Sequence, residues 1–125
     1  WSSDVCSSDL IVGADIDEDI RFEEGRITTY KVDQTSPESI KELWENIPYK
    51  EFDVIVDDGL HTFDANHTFF VHSVHKLKPG GIYVIEDVPT HLIPKYSSSF
   101  KDCDIYHIMH VEPKVDNNLL VFKNK

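Results

Sequence analysis

Acidic side chains follow four apolar runs of this chain, and their oxygen atoms are the groups best suited to bind a ligand. The runs cover residues 11–14, 27–32, 52–56 and 82–85, and the acidic residues after them are Asp15, Asp33, Asp57-Asp58 and Glu86-Asp87. In an open α/β sheet, ligands bind outside the carboxyl ends of the strands, where a carboxylate can accept hydrogen bonds from both ribose hydroxyls. Taken singly, each Asp is equally typical of loop solvation or helix capping. Taken together, they favour a nucleoside site.

The two acidic pairs, Asp57-Asp58 and Glu86-Asp87, indicate a metal site. If their strands are neighbours, the pairs lie about 5 Å apart in the hydrogen-bonding direction. Carboxylates in one cleft repel each other, so they take up protons or share a cation. An oxygen-rich donor set selects a hard divalent ion, Mg²⁺ first, with Ca²⁺ and Mn²⁺ as alternatives. The other interpretation is that two of the four carboxylates point into solvent and only end their strands.

His61 lies three residues after Asp58, where the next helix should begin. A neutral imidazole beside a metal is a natural general base, because its unperturbed pKa is close to physiological pH. The alternative is a surface or capping histidine, since a chain with seven histidines is expected to place one near any site.

The elements that must position these residues alternate between two periodicities. The four apolar runs are rich in β-branched residues and predict buried strands. Ser36-Pro37 predicts a helix start, and Ile40, Leu43, Trp44 and Ile47 form one apolar stripe after it. A second helix is expected over residues 64–77, a turn over 78–81, and two closing strands over 105–111 and 119–122. The order predicts an α/β fold, a mostly parallel sheet with helices on both faces and an antiparallel edge strand.

Composition narrows the function classes. The chain has 125 residues, 12 Lys and Arg against 23 Asp and Glu, a net charge of −11, and two cysteines. Such acidity argues against a nucleic-acid surface and a polybasic membrane patch. No apolar run reaches 18 residues and no signal-peptide pattern opens the chain. We therefore expect one acidic cytoplasmic domain without a disulfide framework.

The first ten residues, WSSDVCSSDL, lack any apolar period and match, codon by codon, the translation of a sequencing-adapter tail. A flexible polar leader is the alternative. We expect residues 1–10 to be non-native and residues 11–125 to be part of a domain. Without the ten residues the formal charge is −9 and Cys103 is the one remaining cysteine.

Two motifs carry a resemblance to a known family. They are FDVIVDDGLH, residues 52–61, and LKPGGIYVIEDV, residues 77–88. Over residues 11–122 the chain resembles class I S-adenosylmethionine-dependent methyltransferases, and more closely the metal-dependent sugar and macrolide O-methyltransferases and cephalosporin-hydroxylase-like proteins. KPGG is moderately specific, whereas DDG-x-H followed by a strand ending in Glu-Asp is considerably more specific. The resemblance implies a Rossmann-like fold whose first strand and glycine-rich loop are missing, so we expect the chain alone to bind the cofactor poorly.

The resemblance also implies roles for individual residues. The implied cofactor-binding residues are Asp15 at the ribose, Asp33 and Gln34 at the adenine, and Asp57. The implied metal ligands are Asp58, Glu86 and Asp87, while His61 would deprotonate the acceptor. The implied reaction is Mg²⁺-assisted methyl transfer from S-adenosylmethionine to a hydroxyl of a small molecule, a sugar or glycosylated natural product, in a family that often forms homo-oligomers. Leu60 departs from the family pattern, which usually has Ser there.

Two other classes of function stay open from the sequence. A dinucleotide-dependent oxidoreductase would use Asp15 but would leave Asp58, Glu86 and Asp87 without a role. A non-catalytic fragment would carry the acidic residues as a solvated rim.

Overall fold

The computed structural model describes residues 10–100, 103–109 and 116–125. The strands are β1 (Ile11–Asp15), β2 (Glu23–Glu24), β3 (Ile27–Lys31), β4 (Phe52–Asp57), β5 (Leu77–Val88), β6 (Asp104–Ile108) and β7 (Asn118–Lys123). The α-helices are α1 (Pro37–Asn46), α2 (Phe63–Ser73) and α3 (Ile93–Ser99). None of the helices in these ranges is long and apolar enough to cross a membrane. Residues 1–9 of the predicted leader, the end of the first predicted closing strand (110–111) and residues 112–115 after it lie outside the described residues.

The chain divides into two units, one ending at Asp33 and the other beginning at Gln34. The first unit contains a three-stranded sheet in the order β1-β3-β2. β1 and β3 are parallel, paired from Ile11 with Ile27 to Asp15 with Lys31, and β2 is antiparallel to β3. Because β1 and β3 run the same way, the residues that follow them lie at the same edge of this sheet.

The second unit contains a four-stranded sheet in the order β4-β5-β7-β6. β4 and β5 are parallel, and β7 is antiparallel to both of its neighbours. The predicted antiparallel strand is therefore present, but it lies inside the sheet, and β6 forms the edge. The burial explains this order: Leu120 and Phe122 of β7 are fully buried, whereas Asp104 and His107 leave β6 more polar and exposed.

The start of α1 follows the sequence prediction closely. The Ser36 hydroxyl accepts a hydrogen bond from the Ser39 N–H at 3.2 Å, and Pro37 is the first helical residue. Ile40, Leu43 and Ile47 of the predicted stripe are buried. The stripe therefore faces the interior, as the 3.6-residue period requires.

The predicted helix over residues 64–77 and the turn over 78–81 need correction. α2 ends at Ser73, a 3-10 helix covers Val74–Lys76, and β5 already begins at Leu77. Leu77 pairs with Phe52, and the next pair is Val54 with Ile82, so residues 78–81 form an irregularity within β5 rather than a turn before it. Leu77 is extended because its side chain is buried in the core, and Gly80, at a φ of 77°, allows the local loop.

The core of the second unit covers one face of its sheet. Phe70 of α2 lies at the centre, with ring centroids 4.9 Å from Tyr83, 4.4 Å from Phe100 and 5.2 Å from Phe122. The opposite face carries apolar side chains that are between 37% and 54% exposed: Val54, Val56, Ile82, Tyr106 and Ile108. The sequence predicted helices on both faces of the sheet. Within the described ranges, helices cover one face of this sheet.

We expect Phe70→Ala to lower the free energy of unfolding of the second unit by about 3–5 kcal/mol, because it removes the ring that joins the helix to the sheet. Urea denaturation followed by circular dichroism measures this change. Val71→Ala, next to it on the same helix and 51% exposed, is the matched control and should stay within about 0.5 kcal/mol of wild type. Equal losses in both variants would contradict the assigned core.

Candidate metal centre at the ends of two parallel strands

The pairing of β4 with β5 brings the two acidic segments together. Asp57 is level with Ile85, so Asp58 and the pair Glu86-Asp87 follow at the same edge of the sheet, which we call the carboxyl edge. From there the chain continues into α2, whose N-cap is Thr62, with its hydroxyl accepting a hydrogen bond from the Ala65 N–H. His61 directly precedes this cap, so the helix start fixes the backbone beside it.

Asp58, His61 and Asp87 form one cluster at the carboxyl edge. His61 Nε2 lies 3.3 Å from Asp58 Oδ1, and His61 Nδ1 lies 3.7 Å from Asp87 Oδ2. Each residue offers one ligand atom, and these atoms all lie within 4.8 Å of one another. The side chains are 57%, 41% and 48% exposed, so a dissolved ion can reach them. The structure thus brings together three of the residues that the sequence singled out.

Glu86, the third predicted metal ligand, is not one of the three residues in this cluster, but it interacts electrostatically with all three of them. Partial burial raises the pKa of Glu86 above its usual value, and the carboxylates of Asp58 and Asp87 raise it further, while His61 opposes them. Glu86 as a ligand stays a prediction.

Asp87 adopts an unusual backbone conformation. Its φ is 53°, in the left-handed region, and the pairing of β5 with β7 shifts between Ile85 and Val88. Asn118 of β7 holds the next residue in place: its Nδ2 donates to the Val88 carbonyl at 2.8 Å and to the Thr90 hydroxyl at 3.1 Å. Strained residues of this kind cluster at functional sites, where surrounding structure maintains them.

The donor set suits a hard divalent cation. Two carboxylates and one imidazole converge, and oxygen ligands with few nitrogens favour Mg²⁺ and Mn²⁺. A cation between Asp58 and Asp87 would also offset their mutual repulsion. The residues present therefore fit a metal ion.

Asp57 and Gln34 lie behind this cluster. Asp57 is 4% exposed, and it accepts hydrogen bonds from Gln34 Nε2 at 2.5 Å and Asn66 Nδ2 at 3.0 Å. Burial raises the pKa of Asp57, and its hydrogen bonds act in the opposite direction, with that from Asn66 the largest. Contact of Asp57 and Gln34 with a cofactor stays a prediction.

Asp15 and Asp33, the other predicted cofactor residues, belong to the first unit. Asp15 ends β1, is exposed, and accepts a hydrogen bond from the Asp17 N–H at 2.9 Å. Asp33 follows β3 and is half-buried. They lie at the same edge of the three-stranded sheet, as expected for residues after parallel strands, and their contact with a cofactor stays a prediction.

Sequence reasoning assigned no functional role to three buried polar residues of this unit: Asn66, Tyr96 and Asn118. Each is no more than 2% exposed. Burial raises the pKa of Tyr96 to about 12, so its hydroxyl is protonated and donates a hydrogen bond. Asn66, which lies between Phe63 and Phe70 on one face of α2, was the one visible indication in the sequence.

Comparisons with known proteins identify homologues, although no protein-family model matches the chain. The chain is 34% identical over 93 residues to 8-demethyl-8-alpha-L-rhamnosyl tetracenomycin-C 2'-O-methyltransferase of Streptomyces olivaceus, covering 74% of this chain and 24% of that protein. It is 40% identical over 87 residues to demethylmacrocin O-methyltransferase of Streptomyces fradiae, covering 70% and 22%. The chain therefore spans about a quarter of the length of these relatives.

Solved structures share the fold. The MycE methyltransferase of mycinamycin biosynthesis, in complex with Mg, SAH and mycinamycin VI, aligns with a TM-score of 0.69 at 23% identity, over 93% of this chain and 37% of that chain. An O-methyltransferase from Bacillus cereus in complex with SAH aligns with a TM-score of 0.62 at 16% identity, over 81% and 51%. By sequence, the chain is similar to O-methyltransferases of macrolide and sugar type, and its fold is that of the solved methyltransferases.

Proposed function

We propose that the protein containing this chain transfers a methyl group from S-adenosylmethionine to a hydroxyl group of a small molecule, a sugar or glycosylated natural product. The observation that carries this proposal is the cluster of Asp58, His61 and Asp87 at the carboxyl edge. The substrate class rests on the relatives, whose names describe O-methylation of such compounds.

The acidic residues of the carboxyl edge hold the metal in this proposal. Asp58 and Asp87 are the ligands supported by geometry, and Glu86 is the third ligand. A bound Mg²⁺ supplies Lewis-acid chemistry, lowering the pKa of the acceptor hydroxyl and orienting it.

His61 acts as the general base. In this proposal Nε2, which lies 3.3 Å from Asp58 Oδ1, carries the proton, and Nδ1 accepts the proton of the acceptor hydroxyl. The Asp87 carboxylate, 3.7 Å from Nδ1, then stabilises the charged ring that forms. This arrangement requires the neutral form of His61 before the proton moves.

The cofactor contacts are assigned to residues at the ends of other strands. Asp15 would bind the ribose hydroxyls, Asp33 and Gln34 would border the adenine, and Asp57 would be a further cofactor contact. Holding the methyl carbon in line with the acceptor oxygen supplies the proximity contribution. We also propose a cytoplasmic location, homo-oligomers, and no nucleic-acid or membrane partner, which follow from the charge and the resemblance.

The two alternative classes of function are less well supported. A dinucleotide-dependent oxidoreductase leaves the cluster of Asp58, His61 and Asp87 without a role, whereas a non-catalytic fragment predicts that the cluster binds no metal. The relatives with 34–40% identity are named O-methyltransferases, which favours methyl transfer.

We expect Asp58→Asn and Asp87→Asn each to weaken Mn²⁺ binding more than about tenfold, because each removes a charged ligand. Titration of Mn²⁺ followed by electron paramagnetic resonance measures the affinity. Asp53→Asn is the matched control, since Asp53 is an exposed carboxylate of the same strand whose partner is Lys78 at 3.0 Å. If all three variants bind Mn²⁺ like wild type, the cluster is a solvated rim.

We expect His61→Asn to lower methyl transfer about 10²–10⁴-fold in the complete gene product while Mn²⁺ affinity stays close to wild type, because a base is lost but the carboxylates remain. Transfer of a labelled methyl group to the hydroxyl acceptor is the readout. His72→Asn, an exposed histidine of α2, serves as the control. A parallel loss of Mn²⁺ binding would make His61 a ligand instead of the base.

A further inference from the structure

A chain of buried polar side chains lies directly behind the metal cluster and takes no part in the proposed proton transfer. It consists of Asp57, Asn66 and Tyr96, which are 4%, 1% and 1% exposed. Burying polar groups is costly unless they are hydrogen-bonded to one another, so such a group persists only where it is fully paired. The described residues leave none of their buried side-chain polar atoms without a partner.

The hydrogen bonds between these three side chains all point from Tyr96 towards Asp57. The Tyr96 hydroxyl donates to Asn66 Oδ1 at 2.6 Å, and Asn66 Nδ2 donates to Asp57 Oδ2 at 3.0 Å. The Asn66 amide is thereby fixed in one orientation, because its oxygen faces a donor and its nitrogen faces a carboxylate. The result connects α3, α2 and the end of β4.

Gln34 extends the chain to the loop that carries the cluster. Its Nε2 donates to Asp57 Oδ1 at 2.5 Å, and its Oε1 accepts a hydrogen bond from the Leu60 N–H at 2.7 Å. The Gly59 N–H also donates to Asp57 Oδ1, at 3.3 Å. A side chain at position 59 would overlap Gln34 Oε1, so this approach of Gln34 to the loop requires glycine. The loop is therefore held on both sides of Asp58.

The connections matter because the cluster residues themselves are exposed. Asp58 and His61 lie on a loop, and their side chains alone cannot define a ligand geometry. Tyr96 belongs to the segment that follows Asp87, and Asp57 immediately precedes Asp58. The chain of hydrogen bonds thus links the two halves of the cluster through the interior, independently of the pairing between β4 and β5.

We propose that Tyr96, Asn66 and Asp57 are positioning residues that keep Asp58 and His61 at the distance from Asp87 at which the cluster shares a cation. This proposal rests on the metal site proposed above. It separates the roles of two adjacent residues: Asp58 faces the ion, and Asp57 holds the loop on which Asp58 lies.

The test compares Mn²⁺ affinity with stability in two variants of the chain. Tyr96→Phe removes one hydroxyl and keeps the ring that packs on Phe63 and Phe100, and Asn66→Ala removes both links. We expect the Mn²⁺ dissociation constant to rise about 10–100-fold for Asn66→Ala, as for other residues that support metal ligands, and by a smaller factor for Tyr96→Phe.

Asn124→Ala is the matched control for both variants. Asn124 Nδ2 donates to the carbonyls of Leu77 and Lys78 at 3.2 Å, at the far end of β5, so its loss affects stability without touching the carboxyl edge. We expect its Mn²⁺ affinity to equal that of wild type. One outcome would overturn the positioning role alone. In it, Asp58→Asn abolishes Mn²⁺ binding, whereas Asn66→Ala, Tyr96→Phe and Asn124→Ala all bind Mn²⁺ with wild-type affinity. Absence of Mn²⁺ binding in the wild-type chain would overturn the metal site and the positioning role together.

A double-mutant cycle gives an independent test on the surface loop. We expect Gly59→Ala to weaken Mn²⁺ binding because the new methyl group displaces Gln34, and Gln34→Ala to weaken it by a similar factor. The double variant should bind Mn²⁺ no more weakly than Gln34→Ala alone, since the two changes break the same contact. If the two losses of Mn²⁺ affinity multiply in the double variant, Gly59 acts without Gln34. That result would contradict the proposed series of hydrogen bonds.

Discussion

The parallel pairing of β4 with β5 is the constraint on which the candidate site depends. It sets Asp57 level with Ile85, so two acidic segments that are distant in sequence leave the sheet at one edge. A shift of one residue would turn every side chain of β4 to the other face and expose Asp57. The fully buried Tyr83 and Ile85 hold the register, because their face of the sheet packs against α2 and α3.

Adjacent acidic residues at this edge meet opposite environments. The Asp57 carboxylate is enclosed and surrounded by donors, whereas Asp58 is more than half exposed and has His61 beside it. Burial raises the pKa of Glu86, and the charges of Asp58 and Asp87 raise it further. The edge therefore combines a buried, hydrogen-bonded carboxylate with accessible carboxylates that a cation can reach.

The first unit repeats the same construction with different residues. β1 and β3 are parallel, and Asp15 and Asp33 follow them at one edge of the smaller sheet. Carboxylates placed after parallel strands can accept hydrogen bonds from ribose, which is the role proposed for Asp15, whereas Asp33 is proposed to border the adenine.

Local patterns in the sequence were enough to predict the α/β class, the start of α1 at Ser36-Pro37, and the approach of the acidic segments containing Asp58 and Asp87 at one edge. Each depends on neighbours within a few residues, or on the rule that parallel strands end at one edge. Tertiary structure alone decided the inner position of β7, the extension of β5 back to Leu77, the left-handed backbone of Asp87 and the pairing of Asn66 with Tyr96. These features depend on contacts between residues far apart in the chain. Such contacts outweigh local periodicity because apolar burial is favourable and each buried polar group needs a hydrogen-bond partner.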